Sequence, residues 1–321
     1  MKKQLFVYAI SLMTAASAAA QDANFSQQSQ LPVFLNPANT GVFERGTRIT
    51  GAFRNTSFNN SNAFTTGAIA AEKKITGKGV IDEGDALGIG VSGLFDQSNA
   101  GALKSNYIGV SIAYTKALNI AGTSKFSAGL QGVWATRRLD VNKLMFEDQF
   151  ASGGYNSGIP SADAYRGGAV NYLDVNAGLA YRYAGKKSGF DLGAALFHAA
   201  RPKEQFWGDG YRLPLRYTLH GGAYIGVGGS DQIHLSAIAN RQGHINEYLV
   251  GGYFSKGVGA EATSLRLQLG SFYRVNSAVI PYVGIATADW HAGVTYDISA
   301  GSKTYTGYNA RSLEFTMQYL F

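Results

Sequence analysis

The five histidines are the first candidates for chemistry in this chain. They are His198, His220, His234, His244 and His291. No two of them stand at a ligand spacing such as H-x-x-x-H within one predicted strand, so we expect no metal site. We predict instead that His220 and His291 are hydrogen-bonded side chains on the polar face of a sheet. No cofactor-binding motif accompanies them, and we expect no cofactor.

Nucleophilic catalysis is no better supported. A membrane phospholipase would need a serine, a histidine and an orienting polar residue on its lipid-facing rim, and no outward-facing position offers such a pair. The chain has no cysteine, which excludes disulfides, thiolate metal sites, thiol nucleophiles and a cysteine-linked lipid anchor. We therefore expect no catalytic residue and predict that the protein is not an enzyme.

Carboxylates and arginines recur on one face of several alternating segments. Successive side chains of a β-strand point to opposite faces, so these residues share an interior when the sheet closes. The set comprises Asp174, Asp297, Glu314, Arg182, Arg216, Arg266 and Arg274. Two interpretations remain open: an ion-paired interior, or a selective polar pore. The pore would require a vacant lumen.

The strand that must position such residues is clearest at the end of the chain. Leu313, Phe315, Met317, Tyr319 and Phe321 point one way, and Glu314, Thr316 and Gln318 point the other. A terminal aromatic after an amphipathic strand is typical of bacterial outer-membrane barrels. We expect a protein of the outer membrane of a Gram-negative bacterium, in contact with its lipids.

The same alternation and the intervening turns predict one all-β antiparallel transmembrane barrel of about fourteen strands. The predicted strands start near Thr47, Ala63, Ala86, Ser105, Lys125, Val170, Ser188, Leu215, Gln232, His244, Thr263, Ala278, Asp289 and Arg311. The longest connections, Arg137–Ala169 and Ala200–Pro214, follow odd-numbered strands and are expected outside the cell, opposite the chain termini. Lysines in the other turns are either solvated or form a docking surface for an acidic periplasmic partner.

Three regions of the chain are distinguished. Residues 1–20 read as a secretory signal, with Lys2 and Lys3 before an apolar run that is too short for the ~20 residues of a spanning helix. Residues 46–321 form the predicted barrel. Residues 21–45 do not read as barrel strand, yet Leu31, Val33, Phe34 and Leu35 require burial. We expect this segment to plug the lumen or cross the periplasmic mouth; a disordered leader is the alternative.

The net charge of +7 is scattered over turns and interior positions, without a Lys/Arg stripe interleaved with aromatics. Nucleic-acid binding is therefore not expected. The long outer loops contain aromatic residues, among them Phe206, Trp207 and Tyr211, which would either bind a partner or pack on a neighbouring loop.

Several elements, taken in order, resemble the PorP/SprF family of type IX secretion system outer-membrane proteins of Bacteroidota. The motif residues that carry the resemblance are Asn36, Pro37, Gly41, Asp174, Asn176, Gly178, His198, Arg201, Pro202, Arg216, His220, Tyr296, Asp297, Glu314 and Phe321. This sequence departs from the family where Arg54 is followed by Asn55-Thr56-Ser57 rather than by a Gln-Trp pair. Phe146-Glu147-Asp148 replaces a Phe-Gly-Asp-like element.

The resemblance implies an outer-membrane barrel that binds and anchors, or assists the export of, a secreted surface adhesin of the gliding type through the C-terminal domain of that client. It also implies periplasmic type IX or peptidoglycan-linked components as partners. The candidate partner-loop residues are Phe146, Asp148, Tyr155, Phe206, Trp207 and Tyr211. The competing interpretations are a porin or FadL-like substrate channel, and a purely structural barrel.

Overall fold

Fourteen antiparallel strands close into one barrel in the computed structural model of the chain. The structure describes residues 22–44, 46–58, 61–77, 82, 84–98, 101–156, 158–161, 168–204, 206, 211–259, 265–300 and 310–321. The predicted signal sequence, residues 1–20, therefore lies outside the described residues. The first and last strands pair along their length, from Arg48 opposite Leu320 to Phe58 opposite Ala310, which closes the sheet.

The barrel strands are β1 Thr47–Phe58, β2 Ser61–Ile75, β3 Ala86–Ser98, β4 Leu103–Ala117, β5 Ser124–Leu139, β8 Gly168–Ala184, β9 Ser188–Phe197, β10 Arg216–Gly228, β11 Asp231–Gln242, β12 Ile245–Val258, β13 Leu265–Arg274, β14 Ala278–Ala286, β15 Trp290–Ser299 and β16 Ala310–Leu320. The short strands β6 (Phe150–Ala151) and β7 (Gly154–Tyr155) form a separate hairpin in the loop after β5. Apart from the closing pair β1 and β16, neighbouring barrel strands follow one another along the chain, which is the topology of an up-and-down barrel.

The predicted strand count is confirmed, and each strand starts within two residues of its predicted position. The β6–β7 hairpin was not predicted, because two residues a side are too few to show alternation. The loop predicted at Arg137–Ala169 is shorter than expected, since β5 continues to Leu139 and β8 begins at Gly168. Pro281 lies within β14, where the register to β15 skips from Val279 to Tyr282, as expected for a residue without an N–H donor.

Alternation along the strands separates an apolar exterior from a polar interior. In β16, Phe315 and Met317 are about half exposed on the outside, whereas the side chain of Glu314 is fully buried on the inside. This pattern of apolar outward and polar inward residues matches a barrel that is surrounded by lipid. The long β5–β8 and β9–β10 connections lie at the end opposite Thr47 and Phe321, so we call that end outer and the other periplasmic.

The segment before β1 folds inside the barrel. It contains a 3₁₀ turn at Gln28–Gln30, one turn of α-helix at Pro32–Leu35 and a second 3₁₀ turn at Pro37–Asn39. Leu31 and Val33 are almost completely buried there, as their apolar character required. Of the alternatives left open by the sequence, the lumenal plug is the correct one. In the described part of the chain, no helix is long and apolar enough to cross a membrane.

Candidate functional site

Residues 22–41, the plug, run through the lumen from its outer half to its periplasmic end. Near the outer end, Asp22 contacts His198, the residue that follows β9. Near the periplasmic end, the backbone N–H of Gly41 donates to Oε2 of Glu72 on β2 at 3.0 Å. The candidate site is therefore the interface between the plug and the barrel wall, together with the loops above it and the lumen below it.

Asn36 fixes the middle of the plug. Its Oδ1 accepts the backbone N–H of Ala38 at 2.9 Å, which caps the turn at Pro37–Asn39. Its Nδ2 lies 3.0 Å from the carbonyl of Leu179 on β8 and 3.0 Å from Nε2 of His220 on β10. Because Asn36 is completely buried, these contacts satisfy polar atoms that water does not reach.

Glycines of the wall allow the plug to approach the sheet backbone. A Cβ on Gly129 of β5 would lie 2.5 Å from the carbonyl carbon of Pro37. A Cβ on Gly178 of β8 would overlap Oδ1 of Asn36, and one on Gly88 of β3 would overlap the Thr40 carbonyl. Gly41, with φ at +72°, turns the chain away from Gly88 toward β1. These positions accept the plug only because they carry no side chain.

A buried ion cluster holds the start of the plug. Arg54 on β1 pairs with Asp297 at 2.8 Å and with Glu314 at 3.0 Å. Glu314 also accepts the backbone N–H groups of Ser26 and Gln27, at 2.6 and 2.7 Å. Arg274 of β13 completes the cluster with Nη1 2.7 Å from Asp297. Two plug N–H groups thus take part in an otherwise strand-to-strand charge network.

A second cluster lies at the outer end of the plug. The ring of His198 lies between two carboxylates, with Nδ1 2.5 Å from Asp174 and Nε2 2.7 Å from Asp22. Arg216 donates to the same oxygen of Asp22 at 2.6 Å. Burial alone would lower the pKa of His198, but Asp22 and Asp174 raise it to about 9. Burial would raise the pKa of Asp22, but Arg216 and His198 hold it well below its usual range.

A third charged contact, a single ion pair, anchors the periplasmic end of the plug. Arg48 on β1 donates through Nε and Nη2 to the two oxygens of Glu72, at 2.9 and 2.8 Å. Nη2 of Arg48 also lies 3.4 Å from the carbonyl of Asn39. This fork-to-fork pair joins β1, β2 and the last turn of the plug.

Most of the motif residues meet at the plug. Asn36, Pro37, Gly41, Asp174, Gly178, His198, Arg216, His220, Asp297 and Glu314 belong to the contacts described above. Asn176 supports them from β8, because its Oδ1 accepts the backbone N–H of His198 at 3.1 Å. The other motif residues lie elsewhere: Arg201 is exposed in the β9–β10 loop, Pro202 is buried there, Tyr296 faces outward, and Phe321 follows the closing strand.

The ion-paired interior is present, but its membership differs from the prediction. Arg182 and Arg266 have no carboxylate within 4.0 Å among the residues that the structure describes; Arg266 donates instead to Oγ of Ser255 at 2.9 Å. Arg54, Arg48, Glu72 and Asp22 were not among the predicted interior charges. Alternation places the first three on the lumen face and was a usable signal, whereas Asp22 stands outside any strand.

The predicted hydrogen-bonded histidines are found. His220 contacts Asn36, and Nε2 of His291 lies 2.8 Å from Oε1 of Gln268 and 2.9 Å from the Tyr282 hydroxyl. Within the described residues, no group of three His, Cys, Asp or Glu side chains is placed to hold a metal ion.

The loop after β5 is an ordered platform. It contains 3₁₀ turns at Val141–Lys143 and Glu147–Gln149 and the β6–β7 hairpin, in which the rings of Phe150 and Tyr155 stand 5.6 Å apart. Gln149 ties it together, with its backbone carbonyl accepting from Asn156 and its side chain donating to Ile159, both at 2.9 Å. Phe150 and Tyr155 remain exposed on this platform.

The other predicted partner-loop residues have mixed placements. Phe146 is half-buried and directly precedes the second 3₁₀ turn, and Asp148 accepts a hydrogen bond from the Ser161 hydroxyl at 2.8 Å. In the β9–β10 loop, Tyr211 is exposed and Phe206 is half-buried. Trp207 lies outside the described residues. The same loop folds back over the barrel, since Glu204 pairs with Arg137 of β5 and Leu213 is buried.

The family model of the type IX secretion system membrane protein PorP/SprF matches residues 17–319. The chain belongs to the PorP/SprF family. The resemblance that rested on short motifs is thereby confirmed over nearly the whole chain. A PorP/SprF protein with this barrel is an outer-membrane protein, as the sequence predicted. The comparison with curated protein sequences gave no match.

Solved structures with the same fold are outer-membrane channels. The toluene transporter TbuX of Ralstonia pickettii is 11% identical, with a TM-score of 0.53, over 95% of this chain and 96% of that one. The deltaS2 mutant of the TodX monoaromatic hydrocarbon channel is 12% identical, with a TM-score of 0.56, over 90% of this chain and 93% of that one. At these identities the likeness shows the barrel fold alone. The family is one of secretion membrane proteins, and these structural neighbours are channels rather than enzymes.

Proposed function

We propose that this PorP/SprF barrel binds and anchors, or assists the export of, a secreted surface adhesin through the C-terminal domain of the adhesin. The outer loops form the receiving surface, and the barrel holds that surface at a fixed place in the outer membrane. Periplasmic components of the type IX system, including peptidoglycan-linked ones, are the proposed partners on the other side. The observation that carries this proposal is the chain's own plug, which crosses the lumen beneath an ordered outer platform.

The filled lumen favours protein binding over transport. Arg54, Glu314 and Asp297 bind the plug at one level, and Asn36 and the wall glycines bind it at another. Ions crossing this lumen would have to disrupt buried charge pairs, and leaving one member of such a pair without its partner typically costs about 3–5 kcal/mol. Between plug and wall, the outer half retains a cavity of about 150 Å³, small for a substrate pathway. A porin or hydrocarbon channel remains the alternative. The channels that resemble this chain in structure share only its fold.

The platform offers the kind of surface on which protein contacts concentrate. Phe150 and Tyr155 are exposed side by side, and Met145 is exposed on the same loop. Aromatic residues and methionine are enriched in protein interfaces because they bury large areas at low entropic cost. Internal hydrogen bonds of Gln149 pre-form this surface, so a client domain would not have to order it.

The test is a gentle detergent pull-down of the tagged barrel from its native cells, with co-purifying proteins identified by mass spectrometry. The wild-type barrel should retain a large exported protein through the C-terminal domain of that protein. The double variant Phe150→Ser/Tyr155→Ser should lose it, whereas Glu147→Gln, an exposed change on the same loop, should retain it. A barrel that purifies alone, or a double variant that retains the client, would contradict the proposal.

A further inference from the structure

The periplasmic end of the lumen contains a second cavity, of about 540 Å³, which we call the vestibule. Its lumen-facing side chains include Arg182, Asp191, Tyr224, Gln232, His234 and Tyr253, and the exposed Glu44 before β1 also contributes to its lining. Ser29 and Gln30 of the plug contribute to its lining, and Lys186 stands in the periplasmic β8–β9 turn beside it. The vestibule therefore adjoins the plug and lies at the end of the barrel that faces the periplasm.

Arg182 is attracted electrostatically to Asp191, its cross-strand neighbour in this cavity, but forms no close ion pair with it. Among the described residues it has no hydrogen bond and no carboxylate within 4.0 Å. Its cross-strand neighbour Asp191 is turned toward His220, with the carboxylate 3.6 Å from Nδ1 of that ring. Its neighbour on the other side is Lys125, a second cation. The guanidinium is half-buried, so its five donors are partly withdrawn from water, and they have no hydrogen-bond acceptor among the described residues.

Aromatic rings line the wall next to Arg182. The ring of His234 stacks on Tyr253 with centroids 4.7 Å apart and an interplanar angle of 12°. Tyr224 continues the row, 6.0 Å from His234, and its hydroxyl donates to the Gly185 carbonyl at 2.8 Å. A planar wall of this kind suits the packing of apolar or aromatic groups, while the adjacent guanidinium suits a carboxylate.

We propose that the vestibule binds an acidic peptide segment that enters from the periplasm. A glutamate or aspartate of that segment accepts two hydrogen bonds from Arg182, and neighbouring side chains pack on Tyr253, His234 and Tyr224. Lys186 at the rim attracts the segment by its charge. A lipid headgroup fits less well, because Arg182 faces the lumen and not the lipid. Inorganic phosphate would use the guanidinium but not the aromatic wall. This site is independent of the outer platform.

The test uses the full mature barrel in detergent and a short fluorescein-labelled peptide rich in glutamate and tyrosine, followed by fluorescence anisotropy. The peptide should bind the wild-type barrel, and the version with glutamine for glutamate should not. Arg182→Gln should weaken binding about tenfold. Lys187→Gln, an exposed change in the same turn that is not part of the lining, should leave binding within about twofold. Heat-modifiable gel mobility verifies the fold of each variant.

Three results would overturn the proposal. One is the absence of peptide binding to the wild-type barrel. Another is equal binding by the wild type and Arg182→Gln, or equal binding of the glutamate and glutamine peptides. The third is complete displacement of the peptide by an equal concentration of inorganic phosphate, which would show a simple oxyanion site. The client pull-down does not depend on any of these outcomes, so failure of one proposal is distinguishable from failure of the other.

Discussion

The outer and periplasmic halves of the lumen differ in how their basic side chains are paired with carboxylates. In the outer half, Arg54, Arg137, Arg216 and Arg274 each pair with a carboxylate. In the periplasmic half, Arg48 pairs with Glu72, but Lys125 and Arg182 have no carboxylate within 4.0 Å among the described residues. Paired buried charges fix one geometry, whereas a cation without a close carboxylate can still form one with a ligand. The outer half is thus built to hold the plug, and the periplasmic half retains free charge.

The largest effect should come from breaking the outer charge network. Arg54→Met leaves Glu314 and Asp297 buried with Arg274 as their remaining cation. Glu314, which accepts two backbone N–H groups of the plug, thereby loses its ion-pair partner. We expect a loss of about 3–5 kcal/mol in the free energy of unfolding, measured by urea titration in detergent. Arg138→Met, an exposed arginine at the outer end of β5, is the matched control and should change stability by less than about 0.5 kcal/mol.

The next effect should come from the glycines that receive the plug. Gly129→Ala places a methyl group against the backbone of Pro37, which cannot move like a side chain, so the plug must shift. We expect a loss of about 1–3 kcal/mol in stability, together with ion conductance in a planar bilayer. Gly132→Ala lies on the same strand, where no atom of the described residues would be within 4 Å of the new Cβ, and should change neither property. Equal behaviour of the two variants would show that the plug does not rest on Gly129.

The outer end of the plug should also respond to pH. The pKa of His198 is raised from 6.5 to about 9. The stabilisation that charged His198 gives to the folded protein is therefore complete below pH 6.5 and is lost as the pH rises through about 9. The pKa of Asp22 is lowered. The stabilisation that the Asp22 carboxylate gives is therefore complete above pH 3.8 and is lost only as the pH falls through the lowered pKa. The attachment is therefore strongest between these limits.

Hydrogen exchange of plug residues 22–27, corrected for the intrinsic effect of pH, should increase about tenfold between neutral pH and pH 10. His198→Gln should exchange faster at neutral pH and lose most of this dependence, because glutamine has no charge to give up. A wild-type profile that stays flat from pH 6 to pH 10 would contradict the role of His198 in holding Asp22.

The smallest effect should follow loss of the vestibule arginine. Arg182→Met removes no hydrogen bond or close ion pair among the described residues; it removes an attraction to Asp191 and a repulsion from Arg48, which oppose each other. We expect a stability change within about 0.5 kcal/mol by the same urea titration. A loss comparable to that of Arg54→Met would abolish the difference between the two halves of the lumen.

The barrel was predictable from the sequence because its signal is local. Alternation in segments such as Leu313–Phe321 identifies strands and their two faces, and it placed all fourteen strands correctly. The plug was half predictable. Leu31 and Val33 required burial, but only the closed sheet shows that the lumen rather than the periplasmic mouth supplies it.

The charge pairing was not predictable, because it depends on which strands become neighbours across the lumen. Alternation put Asp297 and Arg182 on the same inner face. It did not show that Asp297 pairs with Arg54, or that Arg182 has no carboxylate within 4.0 Å among the described residues. Asp22 lies outside every strand, so no periodic pattern points to it. The glycines that contact the plug could not be identified from the sequence, because nothing in it distinguishes Gly129, which contacts the plug, from Gly132, which does not.

Conductance of the mature wild-type barrel in a planar bilayer, with Gly129→Ala beside it, tests the central claim most directly. A plug held by the Arg54 cluster, Asn36 and the wall glycines predicts no steady current from the wild type and open-channel steps from Gly129→Ala. A wild-type barrel that conducts as steadily as the variant would show that the plug does not close the lumen, and would favour the substrate-channel alternative.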